Sequence, residues 1–314
     1  MPRFITFTPN PALDIATAVD RLVDAHKLRC DVPQVHPGGG GINVARVLHR
    51  LGADVLALYA AGGSTGQRVH ALLQAEGVPD QVLAVAADTR ESFTVHERSS
   101  GREYRFVLPG PVLSAAEWQA CLAPLDALEP APAWVISSGS LPPGVGEDGH
   151  AQVARLAQRR GARTVVDSAG PALRAALQAG VWLCKPSLRE LADLIGAEPQ
   201  TPTQQMQAAR TVMAQGQAQM VALSLGAGGA MLVTAQACLL AEALPVTVAS
   251  SVGAGDSFLA SLVWALDAGH TLHDALATAM AAGASAVMAT GTALCQADAV
   301  RALRQQVRIR PLGT

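Results

Sequence analysis

From Trp134 to Gly229 the chain alternates short apolar runs with helix-length segments, and this rhythm leaves few folds open. Trp134–Ser137, Thr164–Asp167, Trp182–Lys185 and Val221–Ser224 read as strands. Asp148–Arg160, a segment from Pro171, and Pro186–Ile195 read as the helices between them. Such β–α alternation predicts an α/β fold with a largely parallel sheet and helices on both faces, because each crossover must return over the sheet to start the next strand in the same direction. Ligands of such sheets gather at the carboxyl ends of the strands. Asp167, Lys185 and Ser224 all fall at such ends, and the polar loop Ser138–Gly144 follows another. At 314 residues, half of them apolar, the chain can bury the core this fold needs.

The first third departs from the rhythm. Phe4–Phe7 reads as a strand that Pro9-Asn10-Pro11 breaks, and Leu13–Val19 and Leu28–Val35 read as extended pieces. Val55–Ala60 and Thr65–Glu76 then give a strand and an amphipathic helix. Ser92–Arg98 and Arg102–Val107 alternate on either side of Ser99-Ser100-Gly101, which predicts a hairpin with one apolar face. Together these pieces suggest a small sheet attached to the main one, with Arg90 and Arg105 at the hairpin. Beyond Gly229, Ala230–Val233 and Cys238–Ala241 form a second hairpin, followed by helices to Ala268, from Leu272 to about Ala289, and near Ala297–Arg304.

Composition removes several function classes. Charged residues make up 15% with a net charge of −2, so no basic stripe marks a nucleic-acid binder. Aromatics at 4% provide no stacking platform for single strands. The five cysteines form no CxxC pair and read as reduced thiols; Cys295 alone lies near the proposed site. The first residues read as a strand rather than a secretory leader, and Ala275–Thr290 is too short and too weakly apolar to span a bilayer. The expectation is a cytoplasmic protein with no membrane and no nucleic-acid partner.

Two glycine-rich stretches carry the chemistry. In Ser251-Val252-Gly253-Ala254-Gly255-Asp256-Ser257-Phe258, two glycines bracket an alanine and an aspartate follows, at the head of an Ala-rich helical segment. Backbone N–H groups at a helix start are unsatisfied and favour anions, so a carboxylate there sits beside the anion it would act on. The stretch reads as a phosphate-transfer centre. Pro37-Gly38-Gly39-Gly40-Gly41-Ile42-Asn43-Val44-Ala45-Arg46 also runs into a helix. It reads as a flexible turn, a sugar-binding loop or a dinucleotide fingerprint, the last weakened because Val35-His36-Pro37 interrupts the strand that should precede it. Asp14 reads as a turn cap or a hydroxyl-binding carboxylate. Of the 23 lysines and arginines only Lys27 and Lys185 are lysines. Codon bias explains the general arginine preference, while a compact point charge on phosphate would explain the two exceptions.

Gly38–Ala45 and Val252–Phe258 resemble the two signatures of the PfkB, or ribokinase-like, carbohydrate kinases, and the likeness runs from Phe4 to Gly291-Thr292. Within that family the chain most resembles the type II 6-phosphofructokinases, through Lys27–Cys30, Tyr104–Val107, Gly139–Gly144 and Thr292–Cys295. The resemblance implies one kinase domain across residues 1–314, with a β lid from about 12–36 and 90–108. It implies Asp256 as the base, with Gly253, Ala254 and Gly255 forming an anion hole. Asp14, Gly39 and Asn43 would hold the sugar, and Lys27, Arg90, Arg105 and Ser140 its phosphate. ATP would lie against Lys185, Ser187, Ser224, Gly226, Gly228 and Gly229, with Mg2+ organised by Glu190 through water. Carbonyls around Ser250, Val252, Ala286 and Gly291 would hold K+. A homodimer through the lid is implied, with Lys27 reaching a neighbour's site. The implied reaction is ATP-dependent phosphorylation of fructose 6-phosphate to fructose 1,6-bisphosphate. The alternatives are tagatose 6-phosphate or fructose 1-phosphate as substrate, a catalytically weakened sugar-phosphate binder, or, at the level of fold alone, a nicotinamide oxidoreductase. Two positions depart from the pattern: Ser187 stands where the family has asparagine, and Ala293 where this branch tends to have arginine. An aspartate at a helix N-terminus is also expected to stay ionised.

Overall fold

The computed structural model describes residues 2–24, 26–289, 291 and 293–313. Thr290 and Thr292, which fall in segments singled out above, lie outside the described residues. In chain order the elements are β1 (Phe4–Thr8), β2 (Ala12–Val19), β3 (Gln34–Gly38), α1 (Gly40–Arg50), β4 (Val55–Ala61), α2 (Gly63–Ala75), β5 (Asp80–Ala84), β6 (Arg90–Glu97) and β7 (Arg102–Val107). There follow α3 (Ala115–Ala127), β8 (Trp134–Ser138), α4 (Gly149–Arg159), β9 (Arg163–Asp167), α5 (Gly170–Gln178), β10 (Val181–Cys184), α6 (Leu188–Ile195), α7 (Pro202–Ala214) and β11 (Ala218–Ser224). The chain ends with β12 (Ala230–Thr234), β13 (Cys238–Ala241), α8 (Ala254–Asp267), α9 (Leu272–Val287), α10 (Ala297–Arg304) and β14 (Ile309–Pro311).

Ten strands form one sheet in the order β14-β13-β12-β11-β10-β9-β8-β1-β4-β5. Pairing is parallel from β5 to β11 and antiparallel beyond it. The parallel strands explain the unbroken apolar runs, because both of their faces are covered. Ile136 and Leu183 face a core that includes Leu48, Leu259 and Leu276. Their chain neighbours Val135 and Cys184 face the opposite side, against Trp118 and Leu173 respectively. The chain builds from β1 outward to β4 and β5, then returns to β8 and builds the other way. The strand order therefore reverses between β1 and β8, and a ligand crevice belongs above Thr8 and Ser138.

The small sheet has the order β3-β2-β6-β7, with β2 and β6 parallel and both flanking pairs antiparallel. Its register puts Val35, Ile15, Phe93 and Phe106 in one cross-strand row, and Gln34, Ala16, Thr94 and Arg105 in the next. Successive rows face opposite sides, so Arg105 shares the face of Asp14 and Phe106 lies on the other.

Three readings change here. Leu28–Val35 is a strand only at its end: residues 20–24 and 26–33 form a largely exposed loop, tied to β2 by Asp31 N donating to Ala18 O at 3.0 Å, and β3 begins at Gln34. His36-Pro37 does not interrupt β3 but belongs to it, opposite Asp14 and Leu13, because an edge strand tolerates a residue without an N–H. Asp14 lies inside β2, so it is no turn cap. The helix α3 carries Pro124 in its interior, and β14 is three residues long, which is why neither is legible in sequence. Among the described residues no helix is long and apolar enough to cross a membrane.

Candidate active site

Helices α3, α6, α7 and α9 are capped by the side chains of Ser114, Ser187, Thr201 and Thr271. The two helices that point at the switch point, α1 and α8, start on Gly39 and Gly253 with no side-chain cap. α2, α4, α5 and α10 also lack such a cap, so it is the convergence of α1 and α8 on Asp256 through Asn43 that makes their first-turn amides candidates for a ligand. Gly253 is left-handed at φ 77° and ψ 0°, and a Cβ there would lie 2.4 Å from Leu294 Cδ2. Conformation and space both demand glycine.

Asp256 sits in the first turn of α8, and Asn43 Nδ2 from α1 donates to its Oδ2 at 2.9 Å. The helix terminus does not decide the charge of this aspartate. Burial raises its pKa, Asp14 adds to the rise, and the Asn43 hydrogen bond, Lys185 and Arg105 oppose it. Such a carboxylate is a stronger base than a free one once ionised. Asn43 is itself buried and engaged with Asp256, so the structure gives it to the base before any sugar.

Lys185 follows β10, is 7% exposed, and lies 3.1 Å from Asp167 Oδ1. Burial works against its ammonium, but Asp167, Asp256 and Glu190 outweigh that and raise its pKa. Burial pushes Asp167 up to about 6, with Asp256 and Glu190 adding to the rise and Lys185 opposing it. One cation among three carboxylates leaves an excess of negative charge that a divalent cation arriving with the nucleotide would offset. Among the described residues no three His, Cys, Asp or Glu side chains are grouped to hold a metal unaided. Ser187 and Glu190 form a reciprocal cap on α6: Ser187 N donates to Glu190 Oε2 at 2.7 Å, and Glu190 N to Ser187 Oγ at 3.3 Å. Serine caps a helix as well as asparagine does, so this departure keeps the local structure.

Beside Gly255 opens a cavity of about 690 Å³ between α8, α9 and the 243–248 loop, lined by Ser224, Gly226, Gly229, Phe258, Met280 and Val287 among others. That is the size of a small-molecule pocket, about 300–1,000 Å³. Gly228 is not in its lining. Gly229 must be glycine for packing whatever the ligand, because a Cβ there would stand 2.0 Å from Ala241 O. Ser224 N donates to Pro186 O at 3.0 Å, tying the end of β11 to the turn that carries Lys185.

On the other side of Asp256 the four glycines pack tightly rather than flex. Added Cβ atoms would meet Asp14 Oδ2 at 2.2 Å from Gly38, Ser138 Oγ at 2.2 Å from Gly40, and Thr8 Oγ1 at 2.4 Å from Gly41. Burial raises the Asp14 pKa to about 6, opposed by Arg105, Arg90 and Arg46. Arg105 is exposed on Asp14's face of the small sheet. Arg90 is largely spent on the backbone, donating to Asn10 O at 3.1 Å, Leu108 O at 3.2 Å and Pro11 O at 3.4 Å. Lys27 lies exposed on the 20–33 loop with no hydrogen bond or ion pair among the described residues, and the structure does not bring it into this group. Asn10, passed over in sequence as part of a strand break, donates from Nδ2 to Ser140 Oγ at 3.1 Å, while its buried Oδ1 has no partner. An asparagine between prolines at the end of the first strand was the signal to follow. Asp167 was noted only as a strand-end residue.

At the C-terminal end of α9, Ser250, Val252 and Ala286 are buried and Gly291 packs within reach of Ala16 on β2. The Ala286 carbonyl already accepts from Ala289 N at 3.1 Å, and Val252 N donates to Ser250 Oγ at 3.2 Å. The negative end of a helix favours a monovalent cation. Cys295 is buried, and burial raises its thiol pKa, which disfavours the thiolate.

Residues 9–299 match the family model described as pfkB family carbohydrate kinase. The chain is 45% identical over 299 residues to ATP-dependent 6-phosphofructokinase isozyme 2 of Mycobacterium tuberculosis, covering 95% of this chain and 88% of that one. It is 34% identical over 311 residues to a 1-phosphofructokinase of Haloferax volcanii, covering 99% of both. It superposes with a TM-score of 0.93 and 37% identity on phosphofructokinase-2 from Escherichia coli in complex with substrates and products, over 97% of this chain and 99% of that one. With both glycine signatures on helix starts that converge on Asp256, the chain belongs to the pfkB family of carbohydrate kinases.

Proposed function

We propose that the protein is an ATP-dependent 6-phosphofructokinase. The observation that carries this is the placement of Asp256 between two differently built halves: an anion-ready cavity beside Lys185, and a polar crevice facing Asp14 and Arg105. ATP occupies the cavity with its γ-phosphate at the first-turn amides of α8. The sugar lies over Gly38–Gly41, with its hydroxyls on Asp14 and Asn10 and its own phosphate toward Arg105. Asp256 takes the proton of the sugar 1-hydroxyl as that oxygen bonds the γ-phosphorus and the bond to the β-phosphate breaks, releasing ADP. The amides of Ala254 and Gly255 and the Lys185 ammonium stabilise charge on the transferring group, which is most of what phosphoryl transfer asks of a protein. Glu190 would hold Mg2+ brought with the nucleotide, and the ion would supply neutralising charge to its phosphates. K+ belongs at the carbonyls around the end of α9. Arg90, held by three carbonyls, fixes the base of the lid and reaches the phosphate only with its remaining donors.

The whole chain serves as one kinase domain in the cytoplasm, with the small sheet as its lid. Phe106 is 52% exposed on the face of that sheet opposite Asp14, and Val32 on the adjoining loop is 92% exposed, which supports pairing of two lids in a homodimer. Lys27 then gains its phosphate from the neighbour's site. Sedimentation of Phe106→Glu against the wild type tests this: the variant should run as a monomer, and an unchanged dimer overturns it.

The reaction is tested by ATP turnover with fructose 6-phosphate, tagatose 6-phosphate and fructose 1-phosphate side by side. Fructose 6-phosphate should give the highest kcat/KM. Preference for fructose 1-phosphate would move the chain toward its Haloferax relative, and binding of sugar phosphate without any turnover would mean a binder that has lost catalysis.

A further inference from the structure

Glu76 caps the C-terminal end of α2, away from the reacting atoms, yet two chains of contacts lead from it into the site. Its carboxylate grips Arg46, with Nε 3.0 Å from both oxygens and Nη2 2.6 Å from Oε1. Arg46 is 1% exposed, a buried cation that needs this partner. Its Nη1 donates to Pro37 O at 3.1 Å and to Asn43 Oδ1 at 3.4 Å. An amide whose oxygen faces a guanidinium has only its NH2 to offer on the other side, and that is the side of Asp256. The second chain starts at Arg50 Nη2, 3.2 Å from Glu76 Oε2. Arg50 Nη1 donates to Ala293 O at 2.6 Å and Cys295 O at 3.3 Å. Between those two carbonyls Leu294 is left-handed at φ 62°, a conformation that side chains of its kind avoid, and it packs on the Gly253 turn. Because Arg50 holds backbone carbonyls, alanine at position 293 does not loosen this segment.

We infer that Glu76 is a positioning residue for phosphoryl transfer: through Arg46 it sets the Asn43 amide that orients Asp256, and through Arg50 it holds Leu294 against the Gly253 turn. This rests on the reading of Asp256 as the base. The competing account is an ion pair that merely joins α1 to α2.

A double-mutant cycle on the full chain separates the two. Arg46→Lys and Glu76→Gln should each lower kcat by about 10- to 100-fold, the scale of a misplaced reacting group. KM for both substrates should stay within about threefold, since the lost interaction acts in the transition state. In an Asn43→Ala background, Arg46→Lys should change kcat by less than about twofold, because the two act in series. Multiplying effects in that double variant, or unchanged kcat with a lowered melting temperature, overturn the inference. If Glu76→Gln does not fold, Glu76→Asp and Arg50→Lys carry the same measurement. If the wild type turns over no sugar phosphate, the reading of Asp256 fails separately. The Asn43 side-chain amide resonances then decide the positioning claim: they should shift in Arg46→Lys, and their staying in place overturns it.

Discussion

At the strand ends of the large sheet the charged groups already have partners: Asp256 accepts from Asn43, Lys185 pairs with Asp167, and Arg46 is locked to Glu76. In the small sheet Arg105 is exposed with no hydrogen bond or ion pair among the described residues, and Lys27 on the adjoining loop is the same. The difference follows from burial. A charge removed from water must be balanced inside the protein or shift its pKa, whereas a surface charge waits in water at little cost. On the proposed reading, the half around Asp256 is organised before substrate arrives, and the lid half would be organised by the substrate's own phosphate. The first arrangement serves the transition state, the second serves binding.

The largest effect expected from breaking this contrast is at the base. Asp256→Asn should retain nucleotide binding by calorimetry while losing on the order of 10²–10⁴ in kcat. Only ionised Asp256 accepts the proton and its pKa is raised, so wild-type activity should fall as pH drops through that raised value. The asparagine variant should lack this limb, and activity within a few fold of wild type means the base is elsewhere.

Arg105→Ala tests the lid half. It should raise KM for the sugar phosphate by about 10- to 100-fold, the worth of one charge-assisted contact, with a smaller change in kcat. A fall in kcat as large as the rise in KM would erase the distinction between the two halves.

The smallest effect is a gain in stability at a site residue. Asp14 titrates at about 6 in the fold, above the ordinary value for an unfolded aspartate of about 3.9. Its contribution to folding is fully present while it is protonated, below about pH 4, and is lost as pH rises through 6. At pH 8 the ionised carboxylate opposes folding, so Asp14→Asn should melt about 1–2 °C higher, allowing roughly 1 kcal/mol for this partly exposed group. At pH 4 the difference should vanish. A lower melting temperature at pH 8 would mean that the arginines around Asp14 outweigh its burial.

Much of this was legible because local rules and tertiary demands coincide. The parallel sheet, the lid hairpin and both glycine signatures stand out since strand length, alternation and helix starts leave periodic marks in sequence. The error at Val35-His36-Pro37 came from judging proline without knowing that β3 is an edge strand. Gly229 and the Gly38–Gly41 run were read as serving a ligand or flexibility; space against Ala241, Asp14 and Thr8 is a further demand for glycine that the sequence did not reveal. Asn10, Arg46 and Glu76 left no mark, because each matters through residues distant in the chain.

Sequence alone determined that this chain builds an α/β fold of the pfkB family and that Asp256 lies in the first turn of a helix starting on glycine, since these depend on the order of residues along one segment. Only the tertiary structure decided how that aspartate is charged, held and supplied. Its burial, its bond from Asn43 and its neighbour Lys185 come from three separate elements, α8, α1 and the end of β10, and the energy of a charge in a protein depends on what surrounds it in space.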